Sequence, residues 1–79
     1  MKTKYKYIHF VYADIKNESA MGGRLNQWVC RNNKSKSDLG LICFNGKWRC
    51  WEFWPDERSA FTTDCLADII DFLKQLEKE

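Results

Sequence analysis

The chain opens with a run of aromatic, β-branched and basic residues at positions 4–13, a composition typical of a β-strand. Two further runs of this kind occupy residues 26–32 and 39–44, and a polar turn separates them. A fourth strand is predicted to end at Pro55, because proline cannot donate to a sheet ladder. Alternation along the first strand predicts two opposite faces: Tyr5, Tyr7, His9 and Val11 on one, and Lys6, Ile8, Phe10 and Tyr12 on the other.

A helical period replaces the strand pattern near the C-terminus. Thr62 or Thr63 is suited to cap this helix, which is predicted to run to about Lys78. Five apolar residues recur at helical spacing and are predicted to form one buried stripe: Leu66, Ile69, Ile70, Leu73 and Leu76.

The Asn45-Gly46 pair between two apolar runs predicts a two-residue type I′ hairpin, in which both residues have positive φ. This register places Ile42 opposite Arg49 and Gly40 opposite Trp51. The helix is expected to cover the face that carries Ile42, Trp51 and Phe53. The other face is expected to carry Leu41, Cys43, Trp48, Cys50, Glu52 and Trp54.

These elements together predict a single α+β domain over residues 1–79, with a four-stranded antiparallel sheet packed on one C-terminal helix. The sheet combines the N-terminal strand with a meander. Residues 14–25 contain Gly22-Gly23 and are predicted to form the longest loop, either a contact site or a plain connector.

Aromatic residues are more numerous than a core of this size can hide, with four Trp, three Tyr and five Phe in 79 residues. Trp48 and Trp54 are predicted to be exposed and to bind a partner. In the alternative interpretation, the N-terminal strand or the 14–25 loop folds over them. A homodimer that covers the open sheet face is a further candidate assembly.

Charges are unevenly distributed, although the net charge is only +2. Residues 1–50 hold ten Lys or Arg against three Asp or Glu, whereas residues 51–79 hold three against eight. On the predicted helix, Asp64, Asp68 and Asp71 line one side and are predicted to bind a partner by mimicking phosphates. A solvated helix face is the alternative.

The basic residues support an alternative function, a nucleic-acid-binding module that uses a basic, aromatic-rich sheet. The candidate contacts are Lys4, Lys6, Arg31, Lys47 and Arg49. A net charge of +2 and the lack of a nucleic-acid-binding motif make this the second hypothesis.

The chemistry-bearing residues predict neither an enzyme nor a metal or cofactor site. The four cysteines are scattered singly and His9 is the one histidine, whereas a zinc site needs paired ligands at short spacing. No catalytic motif occurs. Without an export signal or a membrane-spanning segment, the protein is expected in the cytoplasm with reduced thiols.

Three segments from residue 39 onwards carry a recognisable pattern: Leu39-Gly40-x-Ile42, then Trp48-Arg49-x-Trp51-x-Phe53-x-Pro55, then Cys65-Leu66-x-Asp68-Ile69-x-x-Phe72. This pattern resembles that of a group of small phage and prophage proteins. The chain departs from the group at Phe44, where the group has Trp, and at Trp51, where it has Tyr. The resemblance supplies no activity. It implies a phage or prophage origin and an accessory role in a host cell. By analogy with small phage proteins that inhibit host defences through stoichiometric binding, the expected partner is a host protein, such as a CRISPR effector component or another defence protein.

Overall fold

The apolar segments form four strands and one helix in a computed structural model, which describes residues 1–14 and 26–78. In chain order these are β1 (Ile8–Asp14), β2 (Asn26–Asn32), β3 (Asp38–Asn45), β4 (Cys50–Pro55) and α1 (Thr63–Glu77). The strands pair antiparallel in the order β1-β2-β3-β4. This confirms the predicted α+β architecture. The contact loop predicted at 14–25 lies outside the described residues, apart from Asp14, which ends β1.

The first strand begins later than predicted, because the chain folds back at residues 5–8. The Phe10 N–H donates to the Thr3 carbonyl and the Tyr5 N–H donates to the Ile8 carbonyl, both at 2.8 Å. The residues that precede this reversal of the chain therefore run beside β1 instead of extending it. The prediction that Tyr5 faces the same way as His9 is wrong. Tyr5 is buried in the core, with its ring centroid 5.8 Å from that of Phe10.

The β3–β4 connection contains four residues, 46–49, and not the two-residue turn predicted at the Asn-Gly pair. Ile42 pairs with Phe53 instead of Arg49, so each β3 partner lies four positions later than predicted. Since the shift is even, the alternation of faces along both strands is preserved. The shift also moves Arg49 from the strand into the loop, which removes a cation from the apolar face.

The Asn45 side chain explains why the two-residue turn does not form. Its Oδ1 accepts hydrogen bonds from the backbone N–H groups of Lys47 and Trp48, at 3.0 and 3.2 Å. This Asx turn competes with the type I′ conformation. The positive φ that the loop requires falls on Arg49, at 58°, instead of on the Asn-Gly pair.

The β2–β3 loop has the same construction. Asn32 Oδ1 accepts from the N–H groups of Lys34 and Ser35, at 2.8 and 3.0 Å, and Lys36 has a φ of 64°. Both loops follow the pattern Asn-x-Lys-x-(Lys/Arg). The repeated pattern therefore places two cations in each hairpin loop, one pair at each end of the sheet.

Helix α1 begins as predicted, with Thr62 as the N-cap, whose Oγ1 accepts from the Cys65 N–H at 3.3 Å. Asp64 in the first turn and Lys74 in the last complement the helix dipole. Within residues 1–14 and 26–78, no helix has the length and apolar character to cross a membrane.

The buried side of α1 differs from the predicted stripe. Ile69, Phe72 and Leu76 are buried, whereas Leu66 and Ile70 are 46% and 53% exposed. The prediction of Leu66 and Ile70 as core residues is therefore wrong. The helix is oriented so that the large ring of Phe72 packs against the sheet, and this orientation leaves Leu66 and Ile70 on the outer side of the helix.

Phe72 forms the centre of the core and has no exposed surface. Its ring stacks on Phe10, with centroids 4.0 Å apart and an angle of 1° between the rings, and it meets Trp28 edge-on at 5.1 Å. The predicted packing of the helix face is confirmed for three sheet residues: Ile42, Trp51 and Phe53.

The close contact between β3 and β4 predicts that Gly40→Ala destabilises the fold. Gly40 lies opposite Pro55 and not Trp51, and a Cβ there would lie 2.8 Å from the Phe53 ring and from the Trp54 carbonyl oxygen. Such overpacking costs about 1–3 kcal/mol. In the control Gly46→Ala, the Cβ meets no atom within 4 Å, so the change should stay below about 1 kcal/mol. Urea unfolding compares the two, and equal free energies of unfolding would contradict the contact.

Candidate functional site

Trp54 is an exposed indole on the sheet face that α1 does not cover. Its neighbour Phe53 packs towards the helix, so the alternation of the strand turns Trp54 away, and 53% of it is exposed. Its Nε1–H donates to Glu52 Oε1 at 3.1 Å, and Glu52 Oε2 accepts from Asn45 Nδ2 at 2.7 Å. A chain of hydrogen bonds, and not burial, therefore orients this indole.

Trp48 lies in the β3–β4 loop and is 73% exposed. It does not lie on the strand opposite Cys43 as predicted, because the longer loop takes it out of the ladder. Its backbone N–H is held by Asn45 Oδ1 at 3.2 Å. Asn45 therefore supports both exposed indoles. It binds the backbone of the loop that carries Trp48, and it binds the Glu52 carboxylate that accepts the hydrogen bond from Trp54. We call Trp48 and Trp54 the indole surface.

The rest of this sheet face is less exposed than predicted. Val29 and Cys43 are buried, with 8% and 3% of their surface exposed, and Leu41 is half-buried. Gln27 is also buried, and its Oε1 has no hydrogen-bond partner among the described residues. The expectation that Cys43 faces solvent beside the indoles is wrong. The exposed apolar surface of this face is concentrated on Trp54, near the β4 edge.

The three predicted acidic contacts, Asp64, Asp68 and Asp71, lie on one side of α1, which we call the acidic flank. Asp64 and Asp71 are exposed and Asp68 is half-buried. Asp71 also has a structural role, because it accepts a hydrogen bond from the Tyr5 hydroxyl at 2.7 Å. The acidic flank and Trp54 belong to opposite sides of the sheet, so they are separate candidate surfaces.

The segment before β1 is fastened to α1 through Tyr5 and Gln75. Gln75 Nε2 donates to the Tyr5 hydroxyl and to the Lys2 carbonyl, both at 2.9 Å, and Gln75 Oε1 accepts from the Lys2 N–H at 2.9 Å. Burial, followed by the hydrogen bond to Asp71, raises the pKa of Tyr5 above its ordinary value. The neutral hydroxyl is therefore the form that the folded chain stabilises.

The structure does not bring together the five predicted nucleic-acid contacts: Lys4, Lys6, Arg31, Lys47 and Arg49. The first two precede β1, and the last two lie in the β3–β4 loop at the opposite end of the sheet. The length of β3 separates these ends by about 23 Å. Arg31 lies near the first of these ends, where its Nε–H donates to the Asp38 carboxylate at 2.8 Å, so its charge is already paired.

The cysteine and histidine side chains form no metal-binding group in the described part of the chain. No three His, Cys, Asp or Glu side chains within residues 1–14 and 26–78 are grouped to hold a metal ion. The four cysteines are free thiols. Burial, with a smaller contribution from Cys65, raises the pKa of the Cys30 thiol to about 12, so this thiol is protonated at neutral pH. A nucleophilic cysteine requires the opposite shift.

Sequence reasoning misses the polar residues that organise these surfaces. Asn45 reads as a turn residue and Glu52 as a strand position, yet both hold the indole surface. Lys34 and Lys36 are visible in the sequence as basic residues, but their position at the same end of the sheet as Lys6 is not. The repeated Asn-x-Lys-x-(Lys/Arg) pattern indicates only that each pair of cations shares one loop.

No protein-family model, curated protein or solved structure matches this chain.

The raised pKa of Tyr5 predicts that it contributes to a loss of stability at alkaline pH. Because the folded state holds the hydroxyl proton more tightly, the contribution is complete below the ordinary tyrosine value near 10 and is lost as pH rises above it. Above that value, the free energy of unfolding of the wild type should fall by up to about 1.4 kcal/mol per pH unit more than that of Tyr5→Phe. Urea unfolding between pH 8 and 11 (roughly the range around that value) measures this, and parallel pH curves would contradict it.

Proposed function

We propose that this protein acts by binding another protein in a stoichiometric complex through the indole surface. The observation that carries the proposal is the exposure of two indoles: Trp54, 53% exposed on the sheet face that α1 does not cover, and Trp48, 73% exposed in the adjoining β3–β4 loop. Exposed apolar surface of this kind marks interaction sites, and tryptophan is enriched among the residues that dominate interface energies.

The spacing of the two indoles fits a single interface. From Cys50 to Trp54 the strand advances about 13 Å, and Trp48 lies just before it in the loop. A standard interface buries about 800 Å² on each partner, a patch roughly 30 Å across. One partner protein is therefore large enough to contact both rings.

The hydrogen bonds around the indole surface also support a binding role. Glu52 fixes the Trp54 indole and Asn45 fixes the loop of Trp48, so both groups are ordered before a partner arrives. Ordering before binding reduces the conformational entropy lost in the complex. An exposed ring without such support would lose more freedom on docking.

The acidic flank is the second candidate contact. Its exposed carboxylates suit a basic groove on a partner, as the sequence predicts. However, Asp71 is already bonded to Tyr5, so charge reversal there would also loosen the N-terminal segment. We therefore assign the contact to the indole surface, and the acidic flank, on the opposite side of the sheet, remains the alternative surface.

The kind of partner follows from the resemblance to phage and prophage proteins. On that basis we propose that the partner is a host protein in the cytoplasm and that binding inhibits it. A CRISPR effector component or another defence protein is the proposed target. This step depends on the resemblance alone, and the indole surface is proposed independently of it.

Alanine substitution of either indole is expected to weaken the complex. The partner is first captured from a host lysate with the wild type and then purified for calorimetry. Trp48→Ala and Trp54→Ala should each reduce its affinity by roughly tenfold or more, because truncation of a central aromatic contact costs about 2 kcal/mol or more. Ile70→Ala is the matched control, since Ile70 is as exposed as Trp54, at 53%, but lies on the helix.

The double variant Trp48→Ala/Trp54→Ala should bind the partner more weakly than the wild type. Equal affinity of the two proteins would rule out the indole surface as the binding site. Far-UV circular dichroism verifies that each variant is folded. Sedimentation of the wild type tests whether a second copy occupies the surface instead. If the wild type is a dimer and the double variant is a monomer, the indole surface binds a second copy of this chain and not a host protein.

A further inference from the structure

Four lysines gather at the end of the sheet where β1 begins and the β2–β3 loop turns: Lys4, Lys6, Lys34 and Lys36. We call this group the lysine cleft. In the described part of the chain, none of the four lies within ion-pair distance of a carboxylate, because the one ion pair there joins Arg31 to Asp38. Like charges without counter-charges favour the binding of an anion.

Two hollows at this end of the sheet share Asn33 as a lining residue, and their volumes are about 370 and 190 Å³. Each hollow contains one lysine from before β1 and one from the β2–β3 loop: Lys6 with Lys34 in the larger, and Lys4 with Lys36 in the smaller. Each of the two adjacent hollows is therefore lined by a pair of lysines.

Asn33 fixes the two lysine-bearing segments to each other. Its N–H donates to the Tyr7 carbonyl at 2.9 Å, and its Nδ2 donates to the carbonyls of Tyr5 and Lys6 at 2.8 and 3.0 Å. Its Oδ1 then accepts from His9 Nδ1, at 2.7 Å. These bonds do not use the lysine ammonium groups, so the cleft is ordered while its cations remain available to a ligand.

Tyr7 supplies an aromatic ring beside the cations. It lines the larger hollow, is 46% exposed, and its ring centroid lies 5.2 Å from Lys6 Nζ. Proteins that bind single-stranded nucleic acids combine cations that track the phosphates with rings on which bases stack.

We propose that the lysine cleft binds single-stranded nucleic acid, with phosphates in the two hollows and a base stacked on Tyr7. The exposed ring favours this ligand over an acidic peptide, which has carboxylates but no obligatory flat group for the tyrosine. It also favours a single strand over a duplex, in which the bases are already stacked on one another. This site shares no lining residue with the indole surface, and the proposal does not depend on the proposed function.

The test is fluorescence anisotropy of a labelled oligothymidylate of about twelve nucleotides, titrated with the full chain at several salt concentrations. Affinity should fall with salt, with a logarithmic slope approaching about −3 if all four lysines contact phosphates. Lys34→Glu/Lys36→Glu should reduce affinity by roughly tenfold or more at low salt.

The chain offers a matched control for this variant. Lys47→Glu/Arg49→Glu changes the equivalent positions of the other hairpin loop and alters the net charge equally. It should retain most of the affinity, because its loop lies at the opposite end of the sheet. Tyr7→Ala should weaken binding roughly tenfold without changing the salt slope, since it removes stacking and no charge.

Three results would overturn the proposal. The first is no binding at low salt, and the second is an equal loss of affinity in the two double variants. The third is that a duplex of the same sequence, or polyglutamate, binds as tightly as the single strand and ignores Tyr7→Ala. Circular dichroism of every variant ensures that a loss of affinity is not a loss of fold.

Discussion

The flat stack of Phe72 on Phe10, with Trp28 against its edge, decides which side of the sheet is covered. Dispersion and burial of three rings hold α1 to one face, and the alternation of each strand then assigns every other side chain. Phe53 turns towards the helix because of this choice, and Trp54 turns away. The same packing separates the two candidate surfaces for protein binding, the indole surface and the acidic flank.

The strands, the helix and their order could be predicted from the sequence, because local period and capping residues determine them. The helix begins at Thr62, one of its two predicted caps, for this reason. The inner side of the helix could not be predicted, since Leu66 and Ile70 match the same apolar period as the residues that are buried. Only the shape of the sheet surface, with Phe10 and Trp28 side by side, selects Phe72 over them.

The hairpin register shows a second limit of sequence reasoning. An Asn-Gly pair favours a tight turn, but the Asn45 side chain binds the loop backbone and stabilises a longer loop instead. The candidate sites depend on such side-chain bonds between segments distant in sequence. Asn33 joins residues more than twenty positions earlier to its own loop, and no local pattern reveals this partner. The exposed indoles were predictable, whereas the groups that orient them were not.

Helix α1 packs on the Phe10–Trp28 face of the sheet and leaves Trp54 on the other side. Nuclear Overhauser contacts of the Phe72 ring protons in the folded chain measure this packing. Phe72 should show contacts to the rings of Phe10 and Trp28, and none to the indole of Trp54. Contacts between Phe72 and Trp54 would instead place the helix on the opposite face of the sheet.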